Sequence, residues 1–171
     1  KDINDDDLNQ AGDWLIEQGE DLDDEWEEVD AQGVGGDDEG LDQLNELLSD
    51  LEAKYNKESL WSQLARAVYG KPTKTSEQDT SLFKVRYRYA KPKVGDTSRE
   101  FCKKMVGASK VYRKEDIEAA GDQKVNAGFG KGGADTYSIW LYKGGARCHH
   151  FWERVVYLRK SNKKMTVNEA R

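Results

Sequence analysis

Polar and apolar residues alternate over 82–89: Phe83, Val85, Tyr87 and Tyr89 fall on one side, Lys84, Arg86 and Arg88 on the other. A period of two predicts a β-strand with one buried face and one wet, basic face. Residues 137–142 (YSIWLY) and 154–160 (RVVYLRK) are rich enough in aromatic and β-branched side chains to predict two more strands. Elsewhere the spacing is helical. Leu41, Leu44, Leu48 and Leu51, with Leu47 beside them, mark one face of a helix to about Tyr55. Leu60, Trp61, Leu64, Ala67 and Val68 mark a second, closed by Gly70 and Pro72. Ser98 predicts an N-cap for a helix over 99–106 that turns Phe101, Cys102 and Met105 inward, and Gly121 closes another over 114–120.

These elements predict an α+β fold: a small antiparallel sheet of 82–89, 137–142 and 154–160, covered by the helices at 99–106 and 114–120. A helix pair over 41–72 precedes that domain, which spans 73–162 and opens with a polar connector over 73–80. A polar tail follows over 163–171.

Charge adds a first segment. Residues 1–52 carry 21 of the 33 acidic residues and a single basic one, Lys1; the remaining chain carries 26 basic and 12 acidic residues. The formal net charge of −6 describes neither half. Like-charge runs repel and bury too little apolar surface to offset chain entropy, so residues 1–40 are expected to be largely flexible. Within them Leu8, Ala11, Trp14 and Leu15 fit a short helical face, and Trp26 with Val29 an anchor for a partner or for the chain's own domain. No window approaches the roughly 18 apolar residues of a membrane helix, so no membrane association is expected. The chain starts at Lys1, which suggests a fragment or a processed product. Two cysteines make no disulfide framework and favour a reducing compartment.

The chemistry concentrates in residues 144–152 (GGARCHHFW), which hold Cys148, both histidines and Trp152 behind a glycine pair, Gly144 and Gly145. Cys102 is the other cysteine. Cys102, Cys148 and His150 are expected to meet in the fold. They are candidate zinc ligands, because thiolate and imidazole are the donors zinc prefers. The alternatives are small buried side chains, a disulfide, or a cysteine nucleophile. His149 and His150 are adjacent and point apart on any regular element; either is a candidate general base for a nuclease or toxin-like enzyme. Lys84, Arg86 and Arg88 are candidate phosphate contacts. The GFGKGG loop at 128–133 precedes no helix in this reading and lacks the context of a phosphate-binding loop.

Taken in order, Ser98, Arg99, Phe101 and Cys102, then Tyr112, Glu115 and Ile117, then Gly144, Gly145, Cys148 and His150 form a pattern. It resembles the head-morphogenesis or minor head proteins of tailed bacteriophages, the phage Mu F-like group. IWLYKGG followed by CHHFW is also similar to structural proteins of phages that infect Bacteroidetes, crAss-like phages among them. The resemblance covers about residues 80–160. It departs from the group in having no proline in 151–160 and in its acidic N-terminal third. It implies a non-enzymatic structural or assembly component of the virion, in the head, portal or head interior. Assembly would take place in the bacterial host cytoplasm, with other phage structural proteins and packaged DNA as partners. The alternative it leaves is a virion-associated nuclease or toxin-like enzyme using His149 or His150.

Overall fold

A computed structural model of the chain describes residues 3–22, 25–34, 41–55, 74–80, 82–91 and 98–159. The second helix expected over 60–70 and the tail over 163–171 lie outside the described residues. The elements are α1 (Asp5–Gln10), α2 (Asp13–Gln18), β1 (Trp26–Val34), α3 (Leu41–Tyr55), β2 (Phe83–Ala90), α4 (Glu100–Ala108), β3 (Val111–Tyr112), α5 (Lys114–Ala120), α6 (Ile139–Tyr142) and β4 (Phe151–Arg159). A single 3-10 turn, Lys131–Gly133, lies in the glycine-rich loop. The fold is α+β, with one four-stranded antiparallel sheet in the order β1-β4-β2-β3.

The acidic N-terminal residues enter this fold, where the sequence predicted a largely flexible segment. Asn4 caps α1 by accepting the Asp7 amide at 2.7 Å. Asp5, Asp6 and Asp7 then sit in the first turn, where the helix dipole favours carboxylates. Gly12, at φ +81°, turns the chain into α2, which drives Leu15 into the core beside Ala11. Trp26–Val34 forms an edge strand along β4, with a bulge between Glu28 and Asp30. A few buried anchors and a strand partner suffice here against the charge repulsion.

The second correction concerns residues 137–142. They form no strand: Ser138 accepts the Leu141 amide at 3.2 Å and starts the single-turn helix α6, which buries Ile139 and Trp140. A short apolar run suits either element, and the hydroxyl at its head decides for the helix. The strand expected at 154–160 begins earlier, at Phe151. It is β4 that lies between β1 and β2.

Both faces of the sheet are covered. On one, Phe83, Val85, Tyr87 and Tyr89 of β2 and Trp152, Val156 and Leu158 of β4 meet Phe101, Met105, Ile117, Ile139 and Trp140. On the other, Val155 and Tyr157 pack with Val111, Leu22 and Trp26. That second face corrects the expectation of a wet basic strand. Arg86 is fully buried and Lys84 nearly so. Arg86 donates through Nε to Glu20, through Nη1 to Asp79 at 2.7 Å, and through Nη2 to the Lys74 carbonyl at 2.6 Å. Glu20 is delivered there because its backbone bridges to Val111, extending the β3 edge. Lys84 donates to the Lys74 carbonyl at 2.6 Å and lies 3.7 Å from Glu20. Burial, then the charge of Arg86, lowers the Lys84 pKa from its ordinary value.

The network continues to Asp116, which receives Lys74 at 2.8 Å and both arms of the Arg113 fork at 2.8 Å. Burial alone would raise the Asp116 carboxyl, but hydrogen bonds from Arg113 and Lys74 outweigh it and hold the pKa below the ordinary value. A carboxyl depressed in this way contributes stability above its unfolded value of about 3.9, and that contribution disappears as pH falls through the folded value. Thermal unfolding from pH 7 to 2 is therefore expected to show an acid-side loss that is smaller in Asp116→Asn. Identical slopes below pH 4 in the two proteins would remove this assignment.

Candidate functional site

The helix α4 and the turn leading into β4 bring the sulfur and imidazole groups together. Helix α4 starts one residue later than Ser98 predicts: Arg99 occupies the cap position without a side-chain cap, and the Ser98 hydroxyl has no partner among the described residues. Arg99 instead ties the helix start to the distant glycine turn. Its guanidinium donates to the Gly144 carbonyl and, at 2.6 Å, to the Ala146 carbonyl, and it lies 5.1 Å from the Phe129 ring centre. Asn126 joins from below, donating to Gly144 O at 3.1 Å and to the Tyr137 hydroxyl at 2.7 Å. Phe101 is fully buried, and Cys102 beside it is 2% exposed.

After α6 the chain reverses through Lys143 (φ +53°), Gly145 (φ +100°) and Arg147 (φ +62°), and the Cys148 amide closes on Gly145 O at 3.0 Å. This reversal delivers Cys148 to Cys102. Gly144 sits between the two: a Cβ there would fall deep inside Cys102 Sγ and 3.2 Å from Cys148 Sγ. Only a residue without a side chain lets both sulfurs occupy these positions.

The two thiols are free, with the sulfurs 3.8 Å apart. His150 Nδ1 is 3.5 Å from Cys148 Sγ, and one ligand atom from each of the three residues lies within 4.8 Å of the others. Two sulfurs on a tetrahedral zinc, each at about 2.3 Å, are about 3.8 Å apart, and a sulfur and an imidazole nitrogen about 3.6 Å. Both observed separations match, so the group is able to hold a metal ion. His150 Nε2 is buried with no hydrogen-bond partner among the described residues.

The hydrogen bonds among these groups push the two thiol pKa values apart. Cys148 accepts from the Cys102 thiol first, and also from the Tyr89 hydroxyl and the Gly144 and His150 amides, which together lower its pKa. The Cys102 pKa rises in turn, because its proton is held toward Cys148 and because it is buried. Burial, then the neighbouring cysteines, raises the Tyr89 pKa.

The expected convergence of Cys102, Cys148 and His150 is observed. Trp152 is in the core, donating Nε1–H to Ile139 O at 3.3 Å and stacked on Trp140 at 6.4 Å. His149 is exposed, so the two histidines part as their adjacency predicts. Lys84, Arg86 and Arg88 do not join this site and form no free basic face: Arg88 pairs with Glu153 at 2.9 Å and Glu28 at 3.2 Å. Sequence reasoning missed Tyr89, Asn126 and Tyr137 as parts of the site. The β2 alternation puts Tyr89 on the inner side, but its place beside the sulfurs depends on the Tyr89↔Trp152 register. No helix among the described residues is long and apolar enough to cross a membrane. Compared with family models, with curated proteins and with solved structures, the chain finds no match in any of the three.

Proposed function

We propose that the chain is a non-enzymatic structural or assembly component of a tailed-phage virion, acting in the head, the portal or the head interior with other phage structural proteins. The observation that supports this reading is that Arg99, Gly144, Cys102, Cys148 and Trp152 of the resemblance are tied together by hydrogen bonds and close packing, with Asn126 added from outside the pattern. Arg99 and Asn126 both donate to Gly144 O, Gly144 separates the two sulfurs, and Trp152 donates to α6. Such a knot holds a shape. Packaged DNA would have to be met elsewhere than at Lys84, Arg86 and Arg88, whose charges are paired with the protein's own carboxylates.

In the same reading Cys102, Cys148 and His150 hold zinc. A bound zinc would cross-link α4 to the turn before β4, and metal-binding energy would contribute to folding. Cys102→Ala should then cost several kcal/mol, against about 1–2 kcal/mol for a small core truncation alone. It should also abolish the drop in melting temperature that a strong chelator causes in the parent chain.

Mass spectrometry of purified particles carrying the gene tests the virion assignment. The chain is expected in the particles at a fixed ratio to the capsid subunit, and Arg99→Ala should deplete it. Absence from particles, together with DNA or RNA turnover that His150→Ala or His149→Ala abolishes, would replace this reading with the nuclease one.

A further inference from the structure

We infer that Tyr89 is the fourth ligand of the cysteine–histidine site, its phenolate oxygen completing a tetrahedron around zinc with Cys102, Cys148 and His150. The inference rests on the zinc reading above and adds to it what closes the site.

The geometry carries it. The Tyr89 oxygen is 3.2 Å from Cys102 Sγ and 3.6 Å from Cys148 Sγ. An oxygen and a sulfur on a tetrahedral zinc, at about 2.0 and 2.3 Å, are about 3.5 Å apart. With the sulfur–sulfur and sulfur–nitrogen separations of 3.8 and 3.5 Å, four edges of one tetrahedron are accounted for.

The phenol is also held in place. Tyr89 is 4% exposed. Its ring is flanked edge-on by Trp152 at 5.0 Å and Phe101 at 5.8 Å, and stacked on the His150 ring at 5.2 Å with 17° between planes. The oxygen therefore cannot swing away to admit a water at the corner it occupies. Binding would form two zinc–sulfur bonds, one zinc–nitrogen bond and one zinc–oxygen bond. The protons of the thiols and the phenol leave to bulk water, and no electrons change hands. The resulting site carries one net negative charge, and the Arg99 guanidinium, whose field reaches Cys102, lies on the side to offset it. Four protein ligands leave no position for a substrate, the arrangement of a structural zinc and not a catalytic one.

The test uses the full chain, freed of metal and titrated with cobalt(II) and zinc(II). The parent protein should give the visible bands of tetrahedral cobalt, unchanged by added azide, with an ultraviolet tyrosinate difference signal on metal binding. Tyr89→Phe keeps the ring and its packing, so it should fold, as circular dichroism will check. It should lose the tyrosinate signal, show cobalt bands that respond to azide, and bind zinc more weakly. Identical cobalt spectra for the two proteins, or no tyrosinate signal in the parent, would overturn the assignment of Tyr89 while leaving the three-ligand site standing. A parent chain that binds neither metal would overturn the zinc reading, and Tyr89 as a ligand with it.

Discussion

Arg86→Ala is expected to destabilise the protein by about 3–5 kcal/mol, the cost of removing one partner from a buried ion pair. The side chain is fully buried and anchors Glu20, Asp79 and the carbonyls of Lys74 and Val85 at once. Truncation leaves the Glu20 and Asp79 carboxylates on a covered sheet face without their guanidinium partner, Lys84 being 3.7 Å from Glu20. Arg86→Lys should recover little, because a single ammonium cannot span the positions that a planar fork reaches. Arg86→Met combined with Asp79→Asn should recover most of the loss, since one carboxylate goes with the cation and Lys84 keeps Glu20 as its counter-charge. Urea unfolding at pH 7 measures all three; an Arg86→Ala cost below 1 kcal/mol would mean that solvent reaches this cluster.

A loss of similar size, about 3 kcal/mol or more, is expected for Gly145→Ala. Two effects act together. The residue sits at φ +100°, where an L side chain is strained, and its Cβ would fall well inside the Phe129 carbonyl oxygen. That oxygen belongs to the backbone, so relief requires a shift of the loop and not of a rotamer. The turn also sets the position of Cys148, so the variant should lose metal binding along with stability. Gly107→Ala in α4 is the matched control. Nothing lies within 4 Å of its added Cβ, and a helical glycine replaced by alanine gains about 0.5–1 kcal/mol. Equal melting temperatures for Gly145→Ala and the parent would show that the turn is softer than its geometry implies.

The parts legible in the sequence are those set by local periodicity. The alternation of β2, the helix at 114–120 and the inward face of α4 depend on neighbours two to four positions away, and all three are found. The convergence of Cys102, Cys148 and His150 was legible because a helix face and a glycine turn both point rare side chains at one core. What was missed depends on distant partners. Alternation says that the two faces of β2 differ, not that the charged one is wet; Glu20, 66 positions away, decides that. The strand β1 is too acidic to read as a sheet element until β4 pairs with it. Tyr89 reads as an ordinary core aromatic until the register places it beside two sulfurs.

The strand order has a kinetic consequence. Because β4 is the last strand of the sheet in sequence and lies between β1 and β2, nothing joins those two into one sheet until it arrives. Its pairing with β1 joins Trp26 to Arg159, a loop closure over most of the chain. Entropy for such closures must be spent before any long-range contact repays it, which slows folding and leaves unpaired strands waiting. During synthesis, β1 and β2 would emerge with their hydrogen-bonding edges open. The acidic residues of β1, Glu27, Glu28 and Asp30, put like charge on that strand and oppose pairing between nascent copies until β4 is available.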